Sequence, residues 1–225
     1  MFANACNQIR ETIYGVNGLS QIGSTINASN GTAFMIAPQI LVTVAHLCHV
    51  DSDVTKTRHQ LFAAIRSPDI GQSMETATFL AEDTQKDIAL LQLAMPRSNA
   101  CVTLETNRVP TGTPCGALGF PLPALVFSPT GRAFNLTERF QSASISAYST
   151  GHGGLPIGRY ETDSFSYKGS SGCPGFLDDA RVFGMCAGCA TEQTSTQNLE
   201  ARISIAVWVP ALDIRDFARA NGVEL

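Results

Sequence analysis

Residues 169–175 read Gly169-Ser170-Ser171-Gly172-Cys173-Pro174-Gly175, a serine held between glycines. Glycines on both sides allow a tight turn and a close approach of another backbone. Such a turn can present a hydroxyl together with the N–H groups that hold a developing oxyanion. A hydroxyl alone is a weak nucleophile, and it needs a neighbouring base that is in turn oriented by a carboxylate. By itself the segment reads more often as a plain flexible turn. Whether Ser171 is anything more depends on one histidine and one aspartate elsewhere.

Two stretches upstream answer that requirement. Leu41-Val42-Thr43-Val44-Ala45-His46 puts a histidine where an apolar strand ends, and Lys86-Asp87-Ile88-Ala89-Leu90-Leu91 puts an aspartate where a buried strand begins. Taken singly, His46 reads as a satisfied core histidine and Asp87 as an ordinary strand-start residue. Together they stand in the order His, Asp, Ser, with separations of 41 and 84 residues. That order separates one triad-bearing fold from the others, which use different orders.

These stretches resemble the trypsin-like serine protease superfamily, whose motifs take the forms T-A-A-H, D-I-A-L and G-[DN]-S-G-G-P. Within it, the chain is most similar to the HtrA-like or bacterial trypsin-like peptidase branch. The segment GTAFMIAPQILVTVAHLC looks like that branch's G-[ST]-G-F-[IV]-I and T-[NA]-A-H run, and Ala117-Leu118-Gly119-Phe120-Pro121 is similar to A-[IL]-G-[NY]-P. The stretch 160–174 and the ending Ile205–Pro210 with its following helix extend the likeness over about residues 12–220.

The resemblance implies an all-β fold: two six-stranded antiparallel β-barrels, chymotrypsin-like, with a short N-terminal helix and a C-terminal helix. It implies one peptidase domain over residues 1–225, with barrel 1 at about 12–106, barrel 2 at about 107–210 and the last helix at 211–221. His46 would take the Ser171 proton, Asp87 would fix the imidazole, and the N–H groups of Gly169 and Ser171 would form the oxyanion hole. The substrate pocket would be built by Phe165, six residues before the serine, with Lys168, Ala187 and Gly188 around it. No carboxylate stands at 165, so a small or apolar residue before the scissile bond is expected rather than Arg or Lys.

Two positions depart from the pattern. Ser170 stands where zymogen-activated trypsins carry Asp, so activation by an inserted new N-terminus is not expected. Cys173 replaces a usual Gly beside the nucleophile turn, where it would crowd or redox-tune the site. The branch usually carries a PDZ domain after the protease, and this sequence stops before one would fit. Restraint of such a protease is expected from a loop that orders on binding, with Ser149–Gly158 and its four glycines as the candidate.

Bulk composition agrees with many short strands. Charged residues are 15% of the 225, against about 25% in an average chain, and 19 Gly with 11 Pro supply frequent reversals. Strand-like runs are Thr32–Ala37, Ile40–Ala45, Ile88–Leu93, Gly116–Phe120, Ala143–Ala147, Val182–Ala187 and Arg202–Val209. Residues 3–14 and the segment after Pro210 have helical spacing. The stretches Ser20–Gly31, Asp51–Gln60 and Gly188–Asn198 read as polar connections, and His59 and His152 as solvated.

A net charge of −4 without a basic cluster excludes a nucleic-acid footprint and a polybasic membrane anchor. No run of 18 apolar residues exists, and the start lacks a secretory pattern. Seven cysteines, an odd number, then read as reduced thiols in a cytoplasmic protein. No cofactor is expected. The partner is a protein or peptide substrate, with room for a regulatory partner or an oligomer. Cys186-Ala187-Gly188-Cys189 and His46-Leu47-Cys48-His49 offer zinc-type ligands, but the segments would have to meet. A catalytically silent protease fold serving as a scaffold is the rival reading.

Overall fold

The computed structural model describes residues 2–71, 73–95, 98–121, 124–128, 131–149, 158–193 and 200–225; in 124–128, 131–135, 191–193 and 200–204 it describes the backbone only. Two closed antiparallel barrels follow one another along the chain. The first closes in the order β1 (Ile13–Ile22), β2 (Thr25–Ala37), β3 (Ile40–Thr43), β6 (Ile88–Leu93), β5 (Met74–Asp83), β4 (Leu61–Arg66). The second closes in the order β10 (Arg139–Tyr148), β11 (Tyr160–Thr162), β14 (Glu200–Pro210), β13 (Val182–Gln193), β12 (Pro174–Phe176), β7 (Pro114–Gly119). A separate hairpin pairs β8 (Ala124–Ser128) with β9 (Gly131–Asn135), and helices α1 (Ala3–Arg10) and α2 (Ala211–Ala220) stand at the two ends. The expected all-β, two-barrel architecture is the one observed.

The polar run after Ser20 departs from the expectation of a loop. Ile22 turns directly into Thr25 through Gly23, at φ 61°, and β1 and β2 pair without a break from Ile13↔Phe34 to Ile22↔Thr25. Small polar residues can hold a ladder whose outer side chains face water, so polarity there marks exposure and not irregularity. His59 is likewise not solvated. Its ring is buried, with Ser20 Oγ 3.0 Å from Nδ1 and Ser29 Oγ 2.9 Å from Nε2, so both nitrogens are satisfied inside. The N-terminal helix stops at Arg10 because Ile13 and Tyr14 are already committed to β1. The Gly188 connection is also shorter than expected, since β13 runs on to Gln193.

One large apolar cluster fills the first barrel and continues across the junction. It joins Phe34, Leu41, Leu90 and Leu91 to Phe120, Phe176, Met185, Val209 and, on α2, Ile214. Each such fully buried side chain contributes roughly 1.5–3 kcal/mol, so the two barrels are held together by the same kind of packing that holds each one. A smaller cluster, with Cys115, Tyr160, Phe183 and Trp208, sits inside the second barrel.

Polar ties reinforce the junction at both ends. Arg10 of α1 grips Glu138 just before β10, and Ser67 Oγ donates to the same carboxylate at 2.9 Å. On α2, Asp213 accepts from Lys86 Nζ at 2.9 Å and from the buried Arg159, whose Nη2 also donates to Lys86 O at 2.8 Å. The turn that precedes β6 is thereby pinned to the second barrel.

Candidate active site

Strand β3 ends at Thr43, and a short 3-10 turn, Ala45–Cys48, swings His46 out of the barrel wall. Asp87 meets it from the start of β6. Asp87 has φ 58°, a left-handed conformation that Asp tolerates better than most residues. The turn before it is held by Asp83 Oδ1, which accepts from the N–H groups of Gln85 and Lys86. Both Asp87 oxygens are used on His46: Oδ1 accepts its backbone N–H at 2.9 Å, and Oδ2 lies 2.8 Å from Nδ1. Both side chains keep about a quarter of their surface open, at 24% and 23%. Among the described residues, Nε2 of His46 has no hydrogen-bond partner and is free to take a proton.

The segment between β11 and β12 carries Ser171 on a turn with a regular pattern of hydrogen bonds. Ser170 N–H donates to Tyr167 O at 2.9 Å, Gly172 N–H to Cys186 O at 2.7 Å, and Cys173 N–H to Ser170 O at 3.0 Å. The N–H groups of Gly169 and Ser171 donate to nothing among the described residues. Gly169 and Gly172 both have positive φ, 93° and 85°. At Gly172 a Cβ would lie 1.9 Å from Thr32 O and 2.6 Å from Thr43 Oγ1, so only glycine fits against the first barrel there. Ser170, where an aspartate was the alternative, turns its hydroxyl inward to accept the Tyr167 N–H at 3.2 Å.

His46, Gly169 and Ser171 open on one cleft of about 690 Å³ between the barrels. Lys168 and Gly188 line it as well, with Ser166, Tyr167 and Cys189. Phe165 and Ala187 do not line it. Ala187 packs against the main core, and Phe165 lines a neighbouring cavity of about 230 Å³ with Tyr167, Ser170, Cys173, Cys186 and Trp208. The amide of Gln141 grips the Phe165 backbone, donating to its carbonyl at 2.9 Å and accepting from its N–H at 3.1 Å, which turns that residue toward β10. The next residue, Ser166, lines the cleft in its place, with its Oγ 3.5 Å from Cys186 Sγ.

Cys173 points into the second barrel and leaves the cleft clear. It is accommodated because residue 119 is glycine, where a Cβ would come 2.7 Å from that of Cys173. Contact with the Cys186 thiol, together with burial, holds Cys173 protonated well above the ordinary range. All seven cysteines are free thiols, and burial pushes Cys115 up to about 12. Among the described residues no three His, Cys, Asp or Glu side chains converge as metal ligands. His49 faces Lys56 O from Nδ1 and Glu82 from Nε2, each at 2.8 Å, so both of its ring nitrogens are already engaged. Most of the expected regulatory loop, residues 150–157 with His152, lies outside the described residues.

Thr32, Thr43 and Ser166 were not singled out by the sequence motifs. The one available signal was the hydroxyl residue second in Gly31-Thr32-Ala33-Phe34, whose neighbours across the barrel junction are invisible in a linear reading.

No curated protein matches the sequence. Among solved structures, the fold is similar to the crystal structure of the Rv3671c protease from M. tuberculosis, active form, with a TM-score of 0.69 over 98% of this chain and 85% of that one. The two sequences are 16% identical, so the likeness speaks for the fold. A family model described as a trypsin-like peptidase domain matches residues 31–185, more than half of the chain, including His46, Asp87 and Ser171. The two-barrel fold is thus matched by shape and the domain by sequence, and the chain belongs to the trypsin-like peptidase domain family.

Proposed function

We propose that the protein is a serine endopeptidase that hydrolyses peptide bonds through an acyl-enzyme, with Ser171 as nucleophile, His46 as general base and then general acid, and Asp87 as the group that orients the imidazole. The observation that carries this reading is the pair of unbonded N–H groups of Gly169 and Ser171 on the same cleft as His46 Nε2. With the N–H groups of Ser170, Gly172 and Cys173 all bonded around them, two left free beside a serine form a preorganised oxyanion site. Donors of this kind supply about 2.7–4 kcal/mol each to the transition state.

In the proposed cycle His46 Nε2 removes the Ser171 proton as Oγ attacks the peptide carbonyl. The carbonyl oxygen gains its charge facing the two N–H groups. Asp87 Oδ2, on Nδ1, favours the tautomer with Nε2 unprotonated and stabilises the imidazolium that forms. The leaving amine takes that proton, and water repeats the sequence to release the acid. The second-barrel wall of the cleft, Ser166, Tyr167, Gly188 and Cys189, carries no carboxylate, and Asp51, the acidic residue that does line the cleft, belongs to the first barrel with His46, which supports a small or apolar residue before the scissile bond.

One experiment tests both statements. Wild type and Ser171→Ala are incubated with a peptide library and with a fluorophosphonate probe. Wild type is expected to label and to cut after small or apolar residues, and Ser171→Ala to lose labelling and about 10⁵–10⁶-fold of kcat. A folded wild type that neither labels nor cuts would favour a silent scaffold, and a clear preference for Arg or Lys would overturn the specificity.

A further inference from the structure

We propose that Thr32, on β2 of the first barrel, is a positioning residue that holds the oxyanion-binding turn of the second barrel in its working orientation. The inference rests on the serine peptidase reading above and names what keeps its two N–H donors aimed.

Thr32 is fully buried and all of its polar groups are committed. Its backbone N–H donates to Ser171 O at 2.8 Å, and its carbonyl accepts from Thr43 Oγ1 at 2.8 Å. Its hydroxyl accepts from Phe120 N–H at 3.1 Å, so its single proton is left for Gly169 O, also at 3.1 Å. Thr32 therefore grips the carbonyls of Gly169 and Ser171, the two residues whose N–H groups are free.

The peptide units of the turn explain why this matters. The 169–170 unit is clamped at both ends, its carbonyl by Thr32 Oγ1 and its N–H by Tyr167 O. The 171–172 unit is clamped likewise, its carbonyl by Thr32 N and its N–H by Cys186 O. Of the units that carry the free N–H groups, 168–169 is aimed by its clamped neighbour, and 170–171 by the clamped units on both sides together with the Cys173 N–H on its own carbonyl at 3.0 Å. Each clamp has one end in the second barrel and the other end on Thr32. At residue 169 the chain is glycine with φ 93°, so sterics alone do little to stop the adjoining peptides from rotating. The Thr32 hydroxyl supplies the restraint that the glycine lacks. Thr43, which holds the Thr32 carbonyl, lies three residues before His46, so the same residue also ties the turn to the segment carrying the base.

Thr32→Val keeps the shape and the backbone clamp and removes only the hydroxyl, whereas Thr32→Ser keeps the hydroxyl. Steady-state kinetics on a peptide substrate should show kcat of Thr32→Val lowered about 10- to 100-fold with KM within about twofold. Inhibition by a peptide boronate, which mimics the tetrahedral state, should weaken by the same factor as kcat/KM. Thr32→Ser should recover kcat to within about threefold of wild type. Circular dichroism and thermal melts fix the folded fraction of each variant, and kinetics are run well below both melting points. The proposal is overturned by a Thr32→Val kcat within twofold of wild type, by a loss explained by the unfolded fraction, or by a Thr32→Ser no better than Thr32→Val. A wild type inert to both peptide and boronate would instead overturn the peptidase reading.

Discussion

Asp87 shows how much one side chain can be asked to do. Its left-handed backbone turns the carboxylate back over the chain, so that one oxygen holds the His46 backbone and the other the ring. Asn tolerates the same conformation, so Asp87→Asn should fold normally. Its amide can no longer enforce the tautomer with Nε2 unprotonated, and kcat is expected to fall by about 10⁴-fold with KM little changed. Steady-state kinetics check this, and a loss below about tenfold would remove Asp87 from its orienting role. Cys173 teaches the opposite lesson. A residue that looks disruptive beside Ser171 is turned into the barrel interior, where Gly119 leaves it room.

At the scale of elements, α2 secures the turn that delivers Asp87. Lys86 and Asp213 form a half-open pair, in which the hydrogen bond that Lys86 donates to Asp213 raises the lysine above its ordinary value. Arg159 is the buried member, at 7% side-chain exposure, and it bonds both Asp213 and Lys86 O. Removing a buried partner leaves groups unsatisfied, whereas a surface pair contributes little. Arg159→Ala should therefore lower unfolding free energy by about 2–4 kcal/mol, and Lys86→Ala by less than about 1 kcal/mol. Urea titrations would compare them, and equal costs would contradict the buried role of Arg159. The β1–β2 hairpin makes a related point about legibility. Its apolar half, from Thr32 onward, reads as strand, while the polar half hides because its partners are supplied by its own other arm and by β4.

For the whole molecule, the buried His59 links stability to pH. Burial holds the ring below its ordinary value near 6.5, against the opposing pull of the His49 backbone and of Asp51, while the charge of the His49 ring adds to the lowering. Ser29 Oγ donates to His49 O, so it accepts from His59 Nε2, and Ser20 donates to Nδ1, which is the neutral arrangement. As pH falls below about 6.5 the unfolded chain takes up the proton first, so this contribution is full at pH 7 and shrinks toward pH 5. Urea unfolding at pH 7 and 5.5 should show a steeper loss in wild type than in His59→Asn; equal slopes would show that His59 is not the group responsible. The sequence by itself determined the barrels' apolar strands, the terminal helices, and the ordered His46, Asp87 and Ser171 motifs. Those features are local, because periodicity and short turns are written within a few residues of one another. Only the tertiary structure decided that Ser166 and not Phe165 faces the cleft, that Cys173 points away from it, and that Thr32 bonds the carbonyls of the Ser171 turn. Those depend on which backbone groups of one barrel come within hydrogen-bonding reach of the other, and contacts across 137 residues leave no trace in spacing or composition.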